Sequence, residues 1–99
     1  MGIYKILGKN GKEIENEIIL HPGEVLGEEL EAREISQKDF AELIDMRPPH
    51  LNELIKGKRH ISAMVALKLE KQLGVSASFW LRLQMDYDLK IARKQLNVA

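Results

Sequence analysis

QKDFAELIDMRPPHLNEL, Gln37–Leu54, is the segment on which the architecture turns. Small Ala41 lets a second helix approach the first, and Phe40, Ile44, Met46, Leu51 and Leu54 supply apolar side chains for the wedge between them. These sizes fall at the offsets a helix-turn-helix needs for two helices to cross steeply, with the turn at Asp45-Met46. Ser36 followed by Asp39 reads as an N-cap with an acidic N3 residue, opening the first helix with Phe40, Leu43 and Ile44 on one side. The Pro48-Pro49 pair opens the second. Because a residue before proline avoids the α region, Pro48 is expected to cap and Pro49 to be the first helical residue, with Gly57 ending the helix. Asp45 stands where such a turn usually has glycine at positive φ, a conformation Asp tolerates better than most residues.

The polar side of this unit suggests what it contacts. Arg47, His50, Asn52, Glu53 and Lys56 lie on or beside the exposed face of the second helix, and Lys58, Arg59 and His60 follow in the loop. Four cations and one carboxylate between Arg47 and Arg59 make a locally basic edge, suited to the phosphates of double-stranded DNA. His50, Lys56, Lys58 and Arg59 are candidate phosphate contacts, and Ser36 and Gln37 offer donors at a helix start to another phosphate. Base choice would rest on Arg47, able to bind guanine bidentately, Asn52, suited to adenine, and Glu53, able to accept from a cytosine amine. Pro48 and Pro49 can touch a thymine methyl but donate nothing, which shifts readout toward the other side chains and DNA shape. The plainer alternative is a solvated charged edge.

On the N-terminal side, Pro22 favours a first-turn position, and Val25, Leu26 and Leu30 repeat at helical spacing toward Ile35. Before it, Ile3–Leu7 and Ile14–Leu20 flank an Asn10-Gly11 pair, a hairpin signal because both residues tolerate positive φ. Residues 1–20 are therefore expected to form a short β-hairpin or a frayed arm, and residues 21–99 the helical domain. On the C-terminal side, Ser62 caps a helix over Ala63–Leu73 stopped by Gly74, and its apolar residues around most of the circumference predict a central helix. Ser76 starts a fifth helix in which Trp80, Leu83, Tyr87 and Ile91 recur on one stripe, with Leu81, Met85 and Ala92 on another. So much apolar surface on one helix points to a partner subunit, with Trp80, Leu83, Tyr87 and Ile91 as either core or dimer interface.

The composition agrees with a small mainly α domain. The 99 residues are 44% hydrophobic, which argues against disorder, and no stretch fits a membrane span or a signal peptide. Zero cysteines exclude disulfides, thiolate zinc and cysteine catalysis, leaving a cytoplasmic location as the default. The zero net charge hides a segregation: residues 1–45 carry 5 basic and 11 acidic side chains, residues 46–99 carry 10 basic and 4 acidic. His21, His50 and His60 show no paired-ligand spacing, and no P-loop, nucleophile elbow or dinucleotide fingerprint is present. Neither catalysis, a metal nor a cofactor is expected.

The segment His21–Leu89 resembles the HigA family of antitoxins, the antidote half of a plasmid-maintenance toxin-antitoxin module. The telling pieces are HPGE before the first helix, SQKDFA opening the second, IKGKRHIS leaving the third and FWLRLQMDYDL at the close. The resemblance implies a five-helix phage-repressor-like domain, a homodimer on a palindromic operator overlapping its own promoter, and neutralisation of a small ribonuclease toxin. Carried over, the family's DNA-facing positions fall at Gln37, Arg47, Pro48, Pro49, Asn52, Glu53 and Lys56, and the two prolines depart from its usual polar choices. A solitary regulator without a toxin, or a protein-interaction module that has lost DNA affinity, are the alternatives.

Overall fold

The computed structural model describes residues 19–98, so the hairpin expected over residues 1–20 lies almost wholly outside the described residues. Five helices follow in order: α1 (Pro22–Ala32), α2 (Gln37–Leu43), α3 (Pro48–Ile55), α4 (Ala63–Leu73) and α5 (Ala77–Val98). Among the described residues there is no strand.

Local chemistry sets the helix starts. Ser36 Oγ accepts from the Asp39 N–H at 3.0 Å, Ser62 Oγ from Val65 N–H at 3.2 Å, and Ser76 Oγ from Phe79 N–H at 3.2 Å. Each hydroxyl satisfies a donor that the first helical turn leaves unpaired. α1 is capped by a side chain of a less usual kind, His21, whose Nδ1 accepts from Gly23 N–H at 2.8 Å. α3 begins one residue earlier than its sequence suggests. Arg47, not Pro48, takes the extended cap conformation at φ −68° and ψ 138°, and both prolines fit the first turn, where no intrahelical N–H is needed.

The ends of α1, α2 and α3 share one device. A residue at positive φ turns the chain, and the next N–H reaches back five residues: Ile35 to Leu30 O (2.9 Å), Met46 to Ala41 O (2.8 Å) and Lys58 to Glu53 O (2.8 Å). The turning residues are Glu34 (φ 58°), Asp45 (φ 54°) and Gly57 (φ 79°). This pairing is the Schellman closure, which satisfies carbonyls the helix end would otherwise leave bare. Asp45 thus adopts the left-handed conformation that its place in the turn called for.

The core gathers Leu26 and Leu30 from α1, Phe40 and Ala41 from α2, Leu51 and Leu54 from α3, Ala66, Leu69 and Leu73 from α4, and Trp80 from α5. Ile44 and Ile61 close it from the connections. α3 packs against α1 and α2, and α5 against α4 and α1. Two expectations change here, and a choice between two others is decided. Leu43 is 56% exposed although it follows Phe40 at near-helical spacing, because the short α2 buries only Phe40 and Ala41. α4 is not central: Met64 and Leu67 are exposed, since α4 covers the core with one face only. Trp80 is 0% exposed within a single chain, so it is a core residue and offers no surface to a partner.

Two polar ties close the domain. Arg33 reaches from the end of α1 to Leu73 O at the end of α4 (2.8 Å) while its Nε pairs with Glu29 at 2.9 Å. The buried Gln84 accepts from Ile61 N–H at 2.8 Å and donates to Asp88 at 3.1 Å, fixing the loop after α3 against α5.

Candidate nucleic-acid interface

Leu51 and Leu54, both wholly buried, define the inner side of α3. At 100° per residue the opposite side carries Pro49, Asn52, Glu53 and Lys56 within an arc of roughly 100°. Pro49 and Lys56 are exposed, and Asn52 and Glu53 half-buried. Arg47 and Pro48 stand exposed at the helix start, and His50 is half-buried beside them. With proline at the first two helical positions, the start of α3 lacks two of the N–H donors a helix end would present to an anion. The backbone at this helix start therefore offers an anion fewer donors than an ordinary helix N-terminus.

α2 touches the same face at one point. Asn52 Nδ2 donates to Gln37 Oε1 at 3.1 Å, joining the first residue of α2 to the middle of α3 and holding the Asn52 amide in one orientation. Ser36, adjacent, uses its oxygen to cap α2. Beyond α3, the chain turns at Gly57, and the exposed Lys58 and Arg59 extend the basic edge. Arg59 does not stand free: its Nε donates to Glu53 Oε1. That hydrogen bond, and then the guanidinium charge, hold the Glu53 carboxyl below the usual carboxylate range, with smaller pulls from His50 and Lys58. His60 points the other way, its Nε2 3.2 Å from Asp88 on α5.

Gln37, Pro49, Asn52, Glu53 and Lys56 are thus brought to one face, with Ser36, Arg47 and Pro48 at the two helix starts, Lys58 and Arg59 beyond the end of α3, and His50 off to the side of that face. The stripe on α5 is divided. Trp80 is core, Leu83 packs against that core, and Tyr87 sets its ring edge-on to His21 with centroids 4.6 Å apart. Ile91 is half-buried. The large apolar side chains that α5 leaves open among the described residues are Phe79, Met85, Leu89 and Leu96, of which 85, 89 and 96 share one side of the helix. Sequence reasoning missed Leu89 and Leu96, although their spacing from Met85 was visible. It also missed Gly23, where an added Cβ would stand 1.9 Å from Leu54 O, and no local signal marks that approach. Among the described residues no helix is long and apolar enough to cross a membrane, and no group of three His, Asp or Glu could hold a metal ion.

Comparison with known proteins agrees with this arrangement. Residues 26–80 match the helix-turn-helix family model. Virulence-associated protein I of Dichelobacter nodosus is 38% identical over 76 residues, covering 76% of this chain and 70% of its own. An addiction module antidote protein of the HigA family from Coxiella burnetii superposes with a TM-score of 0.75 at 36% identity, over 80% of this chain and 87% of that one. The Pseudomonas aeruginosa antitoxin HigA, solved with the higBA promoter, gives 0.75 at 34% identity over 79% and 86% of the two chains. Helix order, the positive-φ turn at Asp45 and these likenesses together place the chain in the helix-turn-helix family, among its HigA-type antidote proteins.

Proposed function

We propose that this protein is a sequence-specific DNA-binding autorepressor and the antitoxin of a toxin-antitoxin pair. The observation that carries the DNA half is the outward face of α3. Pro49, Asn52, Glu53 and Lys56 project together from a helix whose other side is locked by Leu51 and Leu54, and Gln37 and Lys58 flank them. Similarity to an antitoxin solved with promoter DNA supports the same use of this face. Arg47 and Asn52 read base edges, the two prolines offer apolar contact to thymine methyls, and Gln37, His50, Lys56 and Lys58 approach phosphates. Two copies, joined through the open Met85, Leu89 and Leu96 side of α5, set two α3 helices about 34 Å apart on an inverted repeat. The protein acts by binding, not by catalysis, and its second partner is a small ribonuclease toxin, as its kinship with HigA-type antidotes suggests.

A titration of labelled duplex from upstream of the gene, against a scrambled duplex at two salt concentrations, tests this. The native duplex is expected to bind about a thousandfold more tightly. Lys56→Ala is expected to weaken every duplex alike and to reduce the salt slope by about one. Equal binding of the two duplexes by the unaltered protein overturns the repressor function.

A further inference from the structure

A carboxylate on the outward face of α3 is out of place by charge. Glu53 lies one turn after Pro49 and three residues before Lys56, on the side that the DNA-binding proposal lays into a groove bordered by phosphates. There an unpaired carboxylate would lose water and meet repulsion. The chain supplies a counter-ion from outside the helix. Gly57 turns the backbone at φ 79°, Lys58 N–H closes onto Glu53 O at 2.8 Å, and the next residue, Arg59, reaches back to place its Nε on Glu53 Oε1. The turn that ends α3 and the salt bridge thus hold the same residue by its carbonyl and its carboxylate. Exposed ion pairs of this kind add little to folding stability, so stability alone gives no reason for it.

We infer that Arg59 is a positioning residue for Glu53 and not a phosphate anchor: it neutralises the carboxylate and leaves the second oxygen, Oε2, to accept from the N4 amine of one cytosine. The inference rests on the DNA-binding reading above. Two consequences separate it from a phosphate role. Loss of Arg59 removes selectivity at one base pair, the same one that Glu53 reads, and the count of neutralised phosphates does not change.

The experiment is selection of binding sites from a randomised duplex pool by the full chain, with sequencing of the bound fraction. Titrations of the selected duplex, and of one with the cytosine replaced, follow at several salt concentrations. Glu53→Gln and Arg59→Ala are each expected to lose about tenfold in preference for the same C·G pair, and the double variant no more than either single one. Arg59→Ala keeps the salt slope of the unaltered protein, whereas Lys58→Ala lowers it by about one. A purely structural role for Arg59 would weaken all sequences equally, which overturns the inference. So does an Arg59→Ala variant that keeps every base preference and drops the slope by about one. If the unaltered protein enriches no sequence, the DNA-binding function itself falls, an outcome distinct from either of those.

Discussion

Two residues with side chains hold the left-handed conformation at helix ends, Glu34 at φ 58° and Asp45 at φ 54°. A Cβ in this region crowds the following carbonyl, and the strain is smaller for Asp, whose short polar side chain suits it better than most. Glycine removes the strain at the cost of some chain entropy. Glu34→Gly is expected to stabilise the protein by about 1 kcal/mol, raising the melting temperature by about 4–8 °C, and Asp45→Gly by less. Thermal unfolding followed by circular dichroism checks both, and an Asp45→Gly gain larger than that of Glu34→Gly would contradict the steric account. Asp45 was legible in the sequence because the helix-turn-helix spacing names its position. Glu34 was not, since nothing in its side chain announces the turn. The Glu53–Arg59 pair was not read although both charges were visible and Gly57 was expected to end the helix, because a turn residue does not say which side chains the turn brings together.

α3 has eight residues, too few to be stable as an isolated helix, so its existence and its aim depend on what it packs against. α1 approaches its backbone closely at Gly23. An added Cβ on Gly23 would stand 1.9 Å from Leu54 O and 3.0 Å from Ile55 O, both backbone atoms that cannot rotate aside. Gly23→Ala is therefore expected to destabilise the fold by about 1–3 kcal/mol and to weaken DNA binding by tilting α3. Gly27→Ala, on the same helix, meets only the Ile55 Cγ2 methyl at 3.2 Å and is expected to change stability by less than about 1 kcal/mol. Urea denaturation of the two variants measures the difference, and equal effects would remove the backbone contact as its cause. Periodicity located all five helices, but it misjudged α4. An apolar residue count around a helix does not say how many faces find neighbours, and here Met64 and Leu67 stay more than half exposed.

His21 joins three parts of the molecule: its ring caps α1, lies against Gly57 in the exit from α3, and meets Tyr87 of α5. Glu24 on α1, His60 in the loop and Asp88 on α5 are the charged or titratable groups acting on it. Burial lowers its pKa from 6.5, the His60 charge lowers it further, and Asp88 and Glu24 pull it partly back. The cap requires the neutral ring, because a proton on Nδ1 would face the Gly23 N–H. The folded state thus binds the proton less readily than the unfolded chain. Its stability contribution is complete above about pH 6.5 and declines as pH falls below that value toward the lowered folded one. Urea unfolding at pH 7.5 and 5.5 is expected to show this loss, and His21→Asn, which keeps a capping oxygen without titrating, is expected to flatten it. An undiminished pH dependence in that variant would assign the effect elsewhere. The segregated charge fits the same geometry: α1 carries Glu24, Glu28, Glu29 and Glu31, and the basic edge runs from Arg47 to Arg59.

Helix number, the three serine caps, the helix-turn-helix and its basic edge were all written in local pattern, because periodicity, capping and turn chemistry act over a few residues at a time. The partners across the chain were not. That Gly23 seats Leu54, that Gln37 holds Asn52, that Arg59 holds Glu53 and that Trp80 is enclosed by its own chain follow from how five short helices close around one core. Gly23 and Leu54, and Gln37 and Asn52, lie far apart in sequence, and only packing, which is non-local, brings them within reach, whereas Glu53 and Arg59, six residues apart, depend on the path the chain takes through the turn at Gly57.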